Sequence, residues 1–328
     1  MNLYTKQEAV SRMNHFGTLG EPFVFIIDYK QQQVYVEKQQ QVNPGDLLYD
    51  LNGFSNSSGK AMKPLSHPVV WHPHPMSFSD YSNSFCIVKR NIHAGNSYLV
   101  NLTCETPVET NLSLEDIFYH SVAKYKLLWK ERFVVFSPEI FIRIKDNTIC
   151  SYPMKGTIDA TLPNARTRIL EDSKETAEHA TIVDLIRNDL STVAREVSVP
   201  RFRYIDELQT NNGCLLQVSS EVTGLLPEDW HSRIGDILFN LLPAGSITGA
   251  PKKKTMQIIE EAETYERGFY TGVMGYFDGS SLDSAVMIRF LEQRDNSMFF
   301  KSGGGITAQS DLQKEYNEMK QKVYVPIY

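Results

Sequence analysis

Residues 269–277, FYTGVMGYF, and residues 284–293, SAVMIRFLEQ, are two apolar runs with the polar turn DGSS at 278–281 between them. Aromatic and β-branched runs on either side of a glycine-containing turn predict an antiparallel hairpin. A second pair of such runs occurs near the start of the chain, in PFVFIIDYKQQQVYVEK at 22–38. Because hairpins connect the strands, the sequence predicts a mixed α+β fold with largely antiparallel sheets, and not a regular series of parallel βαβ units.

The rest of the chain alternates further strands with helices. Strands are predicted at 97–108, 132–137, 140–145, 148–154, 214–226 and 298–306, and helices at 77–95, 113–125, 173 to about 196, 227–242, 250–264 and 310–324. Ser113 and Asp116 have the spacing of a helix N-cap, and Ser310 and Gln313 have that of a capping box. The polar, turn-rich segment at 51–68 separates a short N-terminal part from the long remainder.

The composition excludes several classes of protein. The chain has 328 residues and a net charge of −6 with dispersed basic residues, so no nucleic-acid partner is expected. The mean hydropathy is −0.31 and no apolar run approaches the ~20 residues of a membrane span. The N-terminus lacks the apolar core of a signal peptide, which predicts a cytoplasmic protein. Four widely spaced cysteines without a C-x-x-C pair predict inert thiols.

Two pairs of glutamates are candidates for a metal site. Glu175 and Glu178 are three residues apart on one predicted helix, and Glu315 and Glu318 have the same spacing on the last one, so each pair shares a helix face. Facing helices would bring together carboxylates that suit Mg²⁺, which binds few protein oxygens and leaves positions for substrate. The alternative is two solvated helix faces, on which Lys322 forms an ordinary i,i+4 pair with Glu318.

Other residues are candidates for binding or catalysis. Lys155, at the end of a strand in SYPMKGT, becomes a nucleophile if burial removes its proton, and Glu139, one hairpin earlier, is a candidate acid partner. Arg289 lies in an apolar strand and is expected to bind a carboxylate. The loop PAGSITGAPKKK at 243–254 could hold an anion, and the glycines at 303–305 allow close approach of a ligand. The alternatives are a surface lysine, a capped turn and a flexible loop.

Nine segments, taken in order, make the chain resemble a known family. They are VNL (100–102), SPE (137–139), PMKGT (153–157), EHATIVDLIRNDL (178–190), GSITGAPK (245–252), RGFYTGVMGY (267–276), IRF (288–290), GGGI (303–306) and EYNE (315–318). Together they resemble the chorismate-utilising enzymes, which include anthranilate synthase component I, aminodeoxychorismate synthase component I, and the isochorismate and salicylate synthases. The resemblance implies an anthranilate synthase component I-like sandwich of two antiparallel sheets with surrounding helices. Residues 77–328 would form its chorismate-binding catalytic domain, and residues 1–76 a short sheet-extending segment of the same domain.

The resemblance implies roles for individual residues. Glu178 and Glu318 match the carboxylates that hold Mg²⁺, with Glu175 and Glu315 beside them, and the ion bridges to the ring carboxylate of chorismate. Arg289 matches the arginine that binds the pyruvyl carboxylate. The other implied substrate-binding residues are Tyr270, Gly303, Gly305, Lys322, Ser246, Thr248, Gly156 and Thr157.

Three positions distinguish among the reactions of this family. Lys155 stands where anthranilate synthases have alanine, and lysine there is typical of aminodeoxychorismate synthase. Leu99 stands where isochorismate and salicylate synthases have a lysine base, so ammonia is expected as the nucleophile in place of water. Gln217 stands where anthranilate synthase has a histidine that assists pyruvate loss. The chain therefore most resembles aminodeoxychorismate synthase component I. The alternative is anthranilate synthase component I, which forms anthranilate and pyruvate.

The reaction implied by the resemblance is the amination of chorismate to 4-amino-4-deoxychorismate, for 4-aminobenzoate and folate synthesis. Lys155 attacks C2 while Glu139 protonates the departing C4 hydroxyl, and ammonia then displaces the lysine. No glutaminase motif is present, so a separate glutamine amidotransferase subunit is expected to supply ammonia. A separate aminodeoxychorismate lyase is expected to consume the product. The absence of an L-L-E-S motif predicts no feedback inhibition by tryptophan.

Overall fold

The computed structural model describes residues 1–57, 64–65, 67–210 and 213–327, so part of the polar segment at 51–68 lies outside the described residues. Within those ranges the strands are β1 (Phe23–Ile27), β2 (Val34–Lys38), β3 (Leu47–Leu51), β4 (Phe54–Ser55), β5 (Trp71–Pro73), β6 (Leu99–Thr110), β7 (Tyr125–Trp129), β8 (Phe133–Ser137), β9 (Ile140–Lys145), β10 (Thr148–Ser151), β11 (Met154–Asp159), β12 (Arg195–Thr210), β13 (Gly213–Leu225), β14 (Gly249–Ala250), β15 (Val273–Phe277), β16 (Leu282–Val286), β17 (Phe290–Arg294) and β18 (Ser297–Ile306). The helices are α1 (Lys6–Thr18), α2 (Phe78–His93), α3 (Leu114–His120), α4 (Ala165–Glu171), α5 (Ser173–Leu190), α6 (Ile234–Leu241), α7 (Lys252–Ala262) and α8 (Leu312–Gln321), with 3₁₀ turns at Gln39–Gln41, Trp230–Arg233 and Gly245–Ile247. None of these helices is long and apolar enough to span a bilayer.

The strands form two antiparallel sheets. In the first sheet the order is β11-β13-β10-β9-β16-β15-β1-β2, and β12 also pairs with β13. In the second sheet the order is β14-β6-β18-β17-β8-β7-β3-β4, and β5 also pairs with β6. The N-terminal strands thus extend both sheets, with β1 and β2 at one edge of the first and β3 and β4 at one edge of the second. The prediction of an α+β fold with two antiparallel sheets is confirmed.

Strand β1 shows how the layers are built. Phe23, Phe25 and Ile27 pack on its outer face against residues of α1 and α6. Val24 and Ile26 point the other way, into the layer between the two sheets. All five side chains are fully buried, because successive residues of a strand face opposite sides and both sides are covered. The run FVFII therefore has no polar position.

The apolar run at 284–293, predicted as one strand, belongs to two different sheets. Strand β16 ends at Val286 in the first sheet, and β17 begins at Phe290 in the second. Arg289, between them, has a φ of 54°, which interrupts the extended backbone. The prediction that Arg289 lies within a strand is therefore wrong, since it lies where the chain crosses from one sheet to the other.

The helix predicted from 173 to about 196 ends earlier, at Leu190. The Ser191 hydroxyl donates to the Arg187 carbonyl at 2.8 Å, and the Thr192 hydroxyl donates to the Asp189 carbonyl at 2.7 Å. These hydroxyls donate hydrogen bonds to carbonyls of the last helical turn. Such local side-chain hydrogen bonds replace the backbone hydrogen bonds that would continue the helix. The residues that follow form β12, a long strand that sequence reasoning missed because its pattern is polar and interrupted.

Three predicted helix starts can be compared with the residues that cap each helix in the structure. The cap at Ser113 and Asp116 is confirmed, with reciprocal hydrogen bonds between the two residues. The capping box at Ser310 and Gln313 is wrong: Asp311 caps α8 by accepting from the Lys314 amide at 2.9 Å. The helix predicted from 227 begins only at α6, after the 3₁₀ turn at Trp230–Arg233. Helices α1 and α4 were not predicted.

Candidate active site

A cleft of about 280 Å³ is lined by both sheets, by α5 and by the segment after α8. Eight of the candidate residues line it: Glu139, Lys155, Ser246, Tyr270, Arg289, Gly303, Gly305 and Lys322. These residues come from distant parts of the chain and from both sheets. The cleft therefore gathers most of the residues that the sequence singled out.

Two crossings of the chain between the sheets place Glu139 and Arg289 at the cleft. Glu139 lies between β8 of the second sheet and β9 of the first, and Arg289 lies between β16 of the first and β17 of the second. The crossings are joined by their backbones, because the Val286 amide donates to the Glu139 carbonyl and the Phe136 amide to the Arg289 carbonyl, both at 3.1 Å. The acid and the cation are thus fixed relative to each other by the main chain.

Glu139 has an environment suited to a proton donor. Burial raises the pKa of its carboxyl above the ordinary value. The Ser246 hydroxyl donates to Glu139 Oε1 at 2.5 Å and opposes this shift in pKa, as do the charges of Lys322 and Arg289. A carboxyl with a raised pKa retains its proton to higher pH, where it can act as a general acid.

Lys155 forms an ion pair with Glu178, with 2.8 Å between Nζ and Oε2. Burial lowers the pKa of the Lys155 amine, but the contact with Glu178 and the charges of Glu175 and Glu318 together raise it by more, so the resulting pKa lies above the ordinary value. Lys155 is therefore an ammonium in this structure, and the sequence-based expectation of a neutral amine does not describe this state. The amine must lose its proton before it can act as a nucleophile.

Glycines provide the room for the other carboxylates. A Cβ atom at Gly304 of β18 would lie 3.5 Å from Glu318 Oε1 and 3.6 Å from Glu315 Oε2. A Cβ atom at Gly156 would lie 3.3 Å from Glu175 Oε2. The strand backbones can therefore approach the carboxylates of α5 and α8 closely, as the two predicted glutamate pairs require.

The fit of these glutamates to Mg²⁺ rests on their chemistry and burial. Within the described ranges, no three His, Cys, Asp or Glu side chains already converge as metal ligands. Glu178 and Glu315 are only 7% and 5% exposed, and a buried carboxylate needs positive charge beside it. In this structure Lys155 supplies that charge to Glu178. Oxygen donors from two helices suit a hard cation, so the donor set fits Mg²⁺ in competition with the lysine.

Cations and a buried phenol complete the cleft. Lys322 Nζ lies 2.7 Å from Glu318 Oε1 and donates to the Gly303 carbonyl at 2.8 Å. The Arg289 guanidinium lies over the Tyr324 ring, 5.2 Å from its centre. Tyr270 is buried, and burial raises the pKa of its phenol, which stays neutral. The cations can receive anionic groups of a substrate, and the phenol can offer only hydrogen bonds.

Three predicted substrate-binding residues do not line the cleft. The Thr248 hydroxyl is buried and donates to the Ala244 carbonyl at 2.8 Å, so it holds the loop in place. Gly156 has a φ of 81° and lies against Glu175, next to Lys155. Thr157 pairs with Gln217 of the neighbouring strand, and its side chain is exposed. In the loop at 243–254, Ser246 therefore lines the cleft, whereas the Thr248 hydroxyl holds the backbone of the loop.

Sequence reasoning missed seven polar residues that line the cleft. They are Asn101, Ser151, Tyr152, Asp189, Gln217, Lys301 and Ser302, of which Gln217 was noted only as a departure from the family pattern. Asn101 and Asp189 lie in the segments VNL and IRNDL that carry the resemblance. Lys301 precedes the glycine run and is almost fully buried, with Glu292 Oε2 2.9 Å from its Nζ. For Asn101 and Asp189, the position within these motifs was the sequence signal that could have indicated a place at the cleft.

Comparisons with known proteins identify the family of the chain. A family model described as chorismate binding enzyme matches residues 6–327. The chain is 51% identical over 318 residues to an uncharacterized PabA-like protein of Pasteurella multocida, spanning 97% of this chain and 98% of that one. It is 49% identical over 323 residues, 98% of each chain, to an uncharacterized PabA-like protein of Haemophilus influenzae. Aminodeoxychorismate synthase component 1 of Escherichia coli is 31% identical over 317 residues, 92% of this chain and 67% of that protein.

Solved structures agree on the fold. Anthranilate synthase component I from Streptococcus pneumoniae superposes with a TM-score of 0.67 at 26% identity, covering 78% of this chain and 59% of that one. MenF, the menaquinone-specific isochorismate synthase from Escherichia coli, superposes with a TM-score of 0.73 at 16% identity, covering 98% and 82%, and shows the fold alone. The fold and cleft are those of a chorismate-utilising enzyme of the anthranilate and aminodeoxychorismate synthase type. The chain belongs to the chorismate-binding enzyme family, whose match extends beyond 77–328 to residue 6.

Proposed function

We propose that the chain aminates chorismate with ammonia to give 4-amino-4-deoxychorismate, the reaction of aminodeoxychorismate synthase component I. The observation that carries this proposal is that Lys155 lines the same cleft as Glu139. Replacement of a ring hydroxyl through a covalent lysine adduct needs an amine nucleophile and an acid for the leaving group. The similarity to the Escherichia coli enzyme supports the same reading.

The cleft has cations for both carboxylates of chorismate. Arg289 is proposed to bind the pyruvyl carboxylate, and Lys322 lies nearby as a second cation for an anionic substrate. Gly303 and Gly305 let the substrate approach the β18 backbone. A divalent cation held by the two glutamate pairs would supply the positive charge that binds and orients the ring carboxylate.

The proposed chemistry proceeds in two displacements. The Lys155 amine, after giving its proton to solvent and losing its contact with Glu178, attacks C2 of the ring. The two ring double bonds shift, the C4–O bond breaks, and Glu139 gives its proton to the departing hydroxyl, which leaves as water. Ammonia then attacks C4, the double bonds return, and the C2–N bond breaks to release the lysine. The Glu139 carboxylate takes the surplus proton from the new amine, so the enzyme returns to its starting state.

The proposed function includes partners. A separate glutamine amidotransferase subunit is proposed to supply the ammonia, and a separate aminodeoxychorismate lyase to consume the product. Two relatives at about half identity carry PabA-like in their names, which accords with a role beside such a subunit. We place the reaction in the cytoplasm, in the synthesis of 4-aminobenzoate for folate.

Product analysis tests the proposed function directly. The purified chain is incubated with chorismate, Mg²⁺ and an ammonium salt, with and without added aminodeoxychorismate lyase. The expected product is one that the lyase converts to 4-aminobenzoate, and no pyruvate forms before the lyase is added. Anthranilate with stoichiometric pyruvate would instead identify the alternative, anthranilate synthase component I, to which the chain is also similar.

Removal of divalent cations is expected to abolish turnover, and Mg²⁺ is expected to restore it. Binding is measured separately with Mn²⁺ as a paramagnetic probe, because the donor set is made of carboxylate oxygens. Glu318→Gln is expected to weaken Mn²⁺ binding by at least ~10-fold, by analogy with lost interactions around metal sites. Glu131→Gln, at an exposed turn, is the control and should bind normally. Full turnover in metal-free buffer would refute the metal assignment.

A further inference from the structure

The segment at 243–250 is held beside the cleft by backbone hydrogen bonds to strand β6 and by the side chains of Asn101 and Arg267. It carries Ser246, whose hydroxyl contacts Glu139, yet it contains only a 3₁₀ turn and the two-residue strand β14. Such short elements make few hydrogen bonds of their own. The carbonyl of Ile247, the next residue, accepts from Asn101 Nδ2 and from Arg267 Nη1, both at 3.0 Å. Arg267 therefore holds the carbonyl of the residue that directly follows Ser246.

Arg267 is buried and uses its full set of donors. Its side chain is 2% exposed and that of its partner Glu263 is 3% exposed. Its N–H groups reach Glu263 Oε2 at 2.9 Å and Oε1 at 2.7 Å, the Asn101 carbonyl at 2.7 Å, the Ile247 carbonyl at 3.0 Å and Thr271 Oγ1 at 3.3 Å. A guanidinium has five N–H donors in one plane, and all five have acceptors here.

Glu263 fixes the guanidinium to the second sheet. Its Oε1 atom also accepts from the Thr103 amide at 2.9 Å and from the Thr103 hydroxyl at 2.7 Å. Thr103 and Asn101 both belong to β6, which lines the cleft at Asn101. The pair thus ties the end of α7, strand β6 and the 243–250 segment together. Two of these ties end on backbone carbonyls, those of Ile247 and Asn101.

We propose that Arg267, held by Glu263, is a positioning residue for the reaction, which keeps Ser246 against Glu139 by fixing the Ile247 carbonyl to strand β6. The proposal rests on the proposed function, because that function gives Glu139 its chemical role. Lysine at this position would keep the charge. It would lose the planar fork that reaches Ile247 and Asn101 together, since an ammonium is a point charge with three donors.

Arg267→Lys, Ser246→Ala and the double variant form a thermodynamic cycle that tests this role. The matched control is Arg143→Lys, because Arg143 also joins a buried carboxylate, with 3.0 Å between its Nε and Asp283 Oδ2, and does not line the cleft. Each variant is measured for kcat and KM on chorismate, for thermal unfolding, and for amide hydrogen exchange in residues 243–250. If Arg267→Lys fails to fold, Glu263→Gln takes its place in the cycle.

The expected loss of kcat in Arg267→Lys is ~10- to 100-fold with KM within ~3-fold, since small misplacements near the chemistry have effects of that size. In the Ser246→Ala background the same change should alter kcat by less than ~3-fold, because residues acting through one contact are not additive. Exchange at 243–250 should rise in Arg267→Lys and not in Arg143→Lys. Multiplicative losses, or equal losses in the control, would overturn the proposal. Failure of the proposed function is distinct, since the native chain would then not form aminodeoxychorismate at all.

Discussion

Lys155→Ala is expected to lower the rate of aminodeoxychorismate formation by at least ~10³-fold, the scale seen when an enzyme loses its nucleophile. In the proposed reaction the adduct at C2 forms on the Lys155 amine, and an alanine side chain has no group that can form it. The substitution also leaves the Glu178 carboxylate buried without the amine that now lies 2.8 Å from it. Some loss of stability is therefore expected alongside the loss of rate.

Lys155→Arg separates these two effects. A guanidinium keeps its charge at any accessible pH, so it can pair with Glu178 but cannot become the nucleophile. We expect this variant to unfold close to the native temperature and to be as inactive as the alanine variant. The measurements are initial rates of chorismate consumption and thermal unfolding followed by circular dichroism. An arginine variant within ~10-fold of the native rate would mean that Lys155 acts as a fixed cation and not as a nucleophile.

The strands and the antiparallel pairing could be predicted because they depend on local patterns. The run FVFII is predicted as a strand by its aromatic and β-branched residues, and the hairpin around 278–281 by its turn residues. The crossing at Arg289 could not be predicted, because two consecutive apolar strands look the same whether they share a sheet or not. Its left-handed backbone has no sequence signal, since arginine is not a residue that favours positive φ.

The candidate site was predicted as a set of residues, but not as a set of contacts. Lys155 and Glu139 were placed in one cleft by motifs, and the structure brings them there. The ion pair of Lys155 with Glu178 joins β11 to α5, and no spacing along the chain reveals a contact between separate elements. Thr248 belongs to the same motif as Ser246, yet its hydroxyl bonds the Ala244 carbonyl. Motifs identify segments at a cleft, while rotamers and backbone direction decide which members face it.

Glu139→Gln is expected to lower kcat by ~10²- to 10⁴-fold, the usual contribution of a general acid. The amide fills the same space and can still accept from the Ser246 hydroxyl, so the local structure is retained. It has no proton to give to the departing hydroxyl. The affinity of the variant for chorismate, measured by calorimetry, should therefore stay within ~3-fold of the native value, because binding depends on the cations of the cleft and not on Glu139. Glu131→Gln, at an exposed turn, is the control and should keep native kinetics.

The pH dependence gives this prediction a second test. In the proposed reaction the protonated form of Glu139 is the active one, so activity is expected below its pKa and is expected to be lost as the pH rises through that pKa. Burial raises that pKa, which places the alkaline loss of activity at higher pH than an exposed glutamate would. Ammonia gains a proton as the pH falls, so rates must be compared at a constant concentration of the unprotonated base. The Glu139→Gln variant should not lose activity as the pH rises. If the alkaline loss of activity persists in this variant, the proton donor is another group, and Glu139 serves only as the hydrogen-bond acceptor for Ser246.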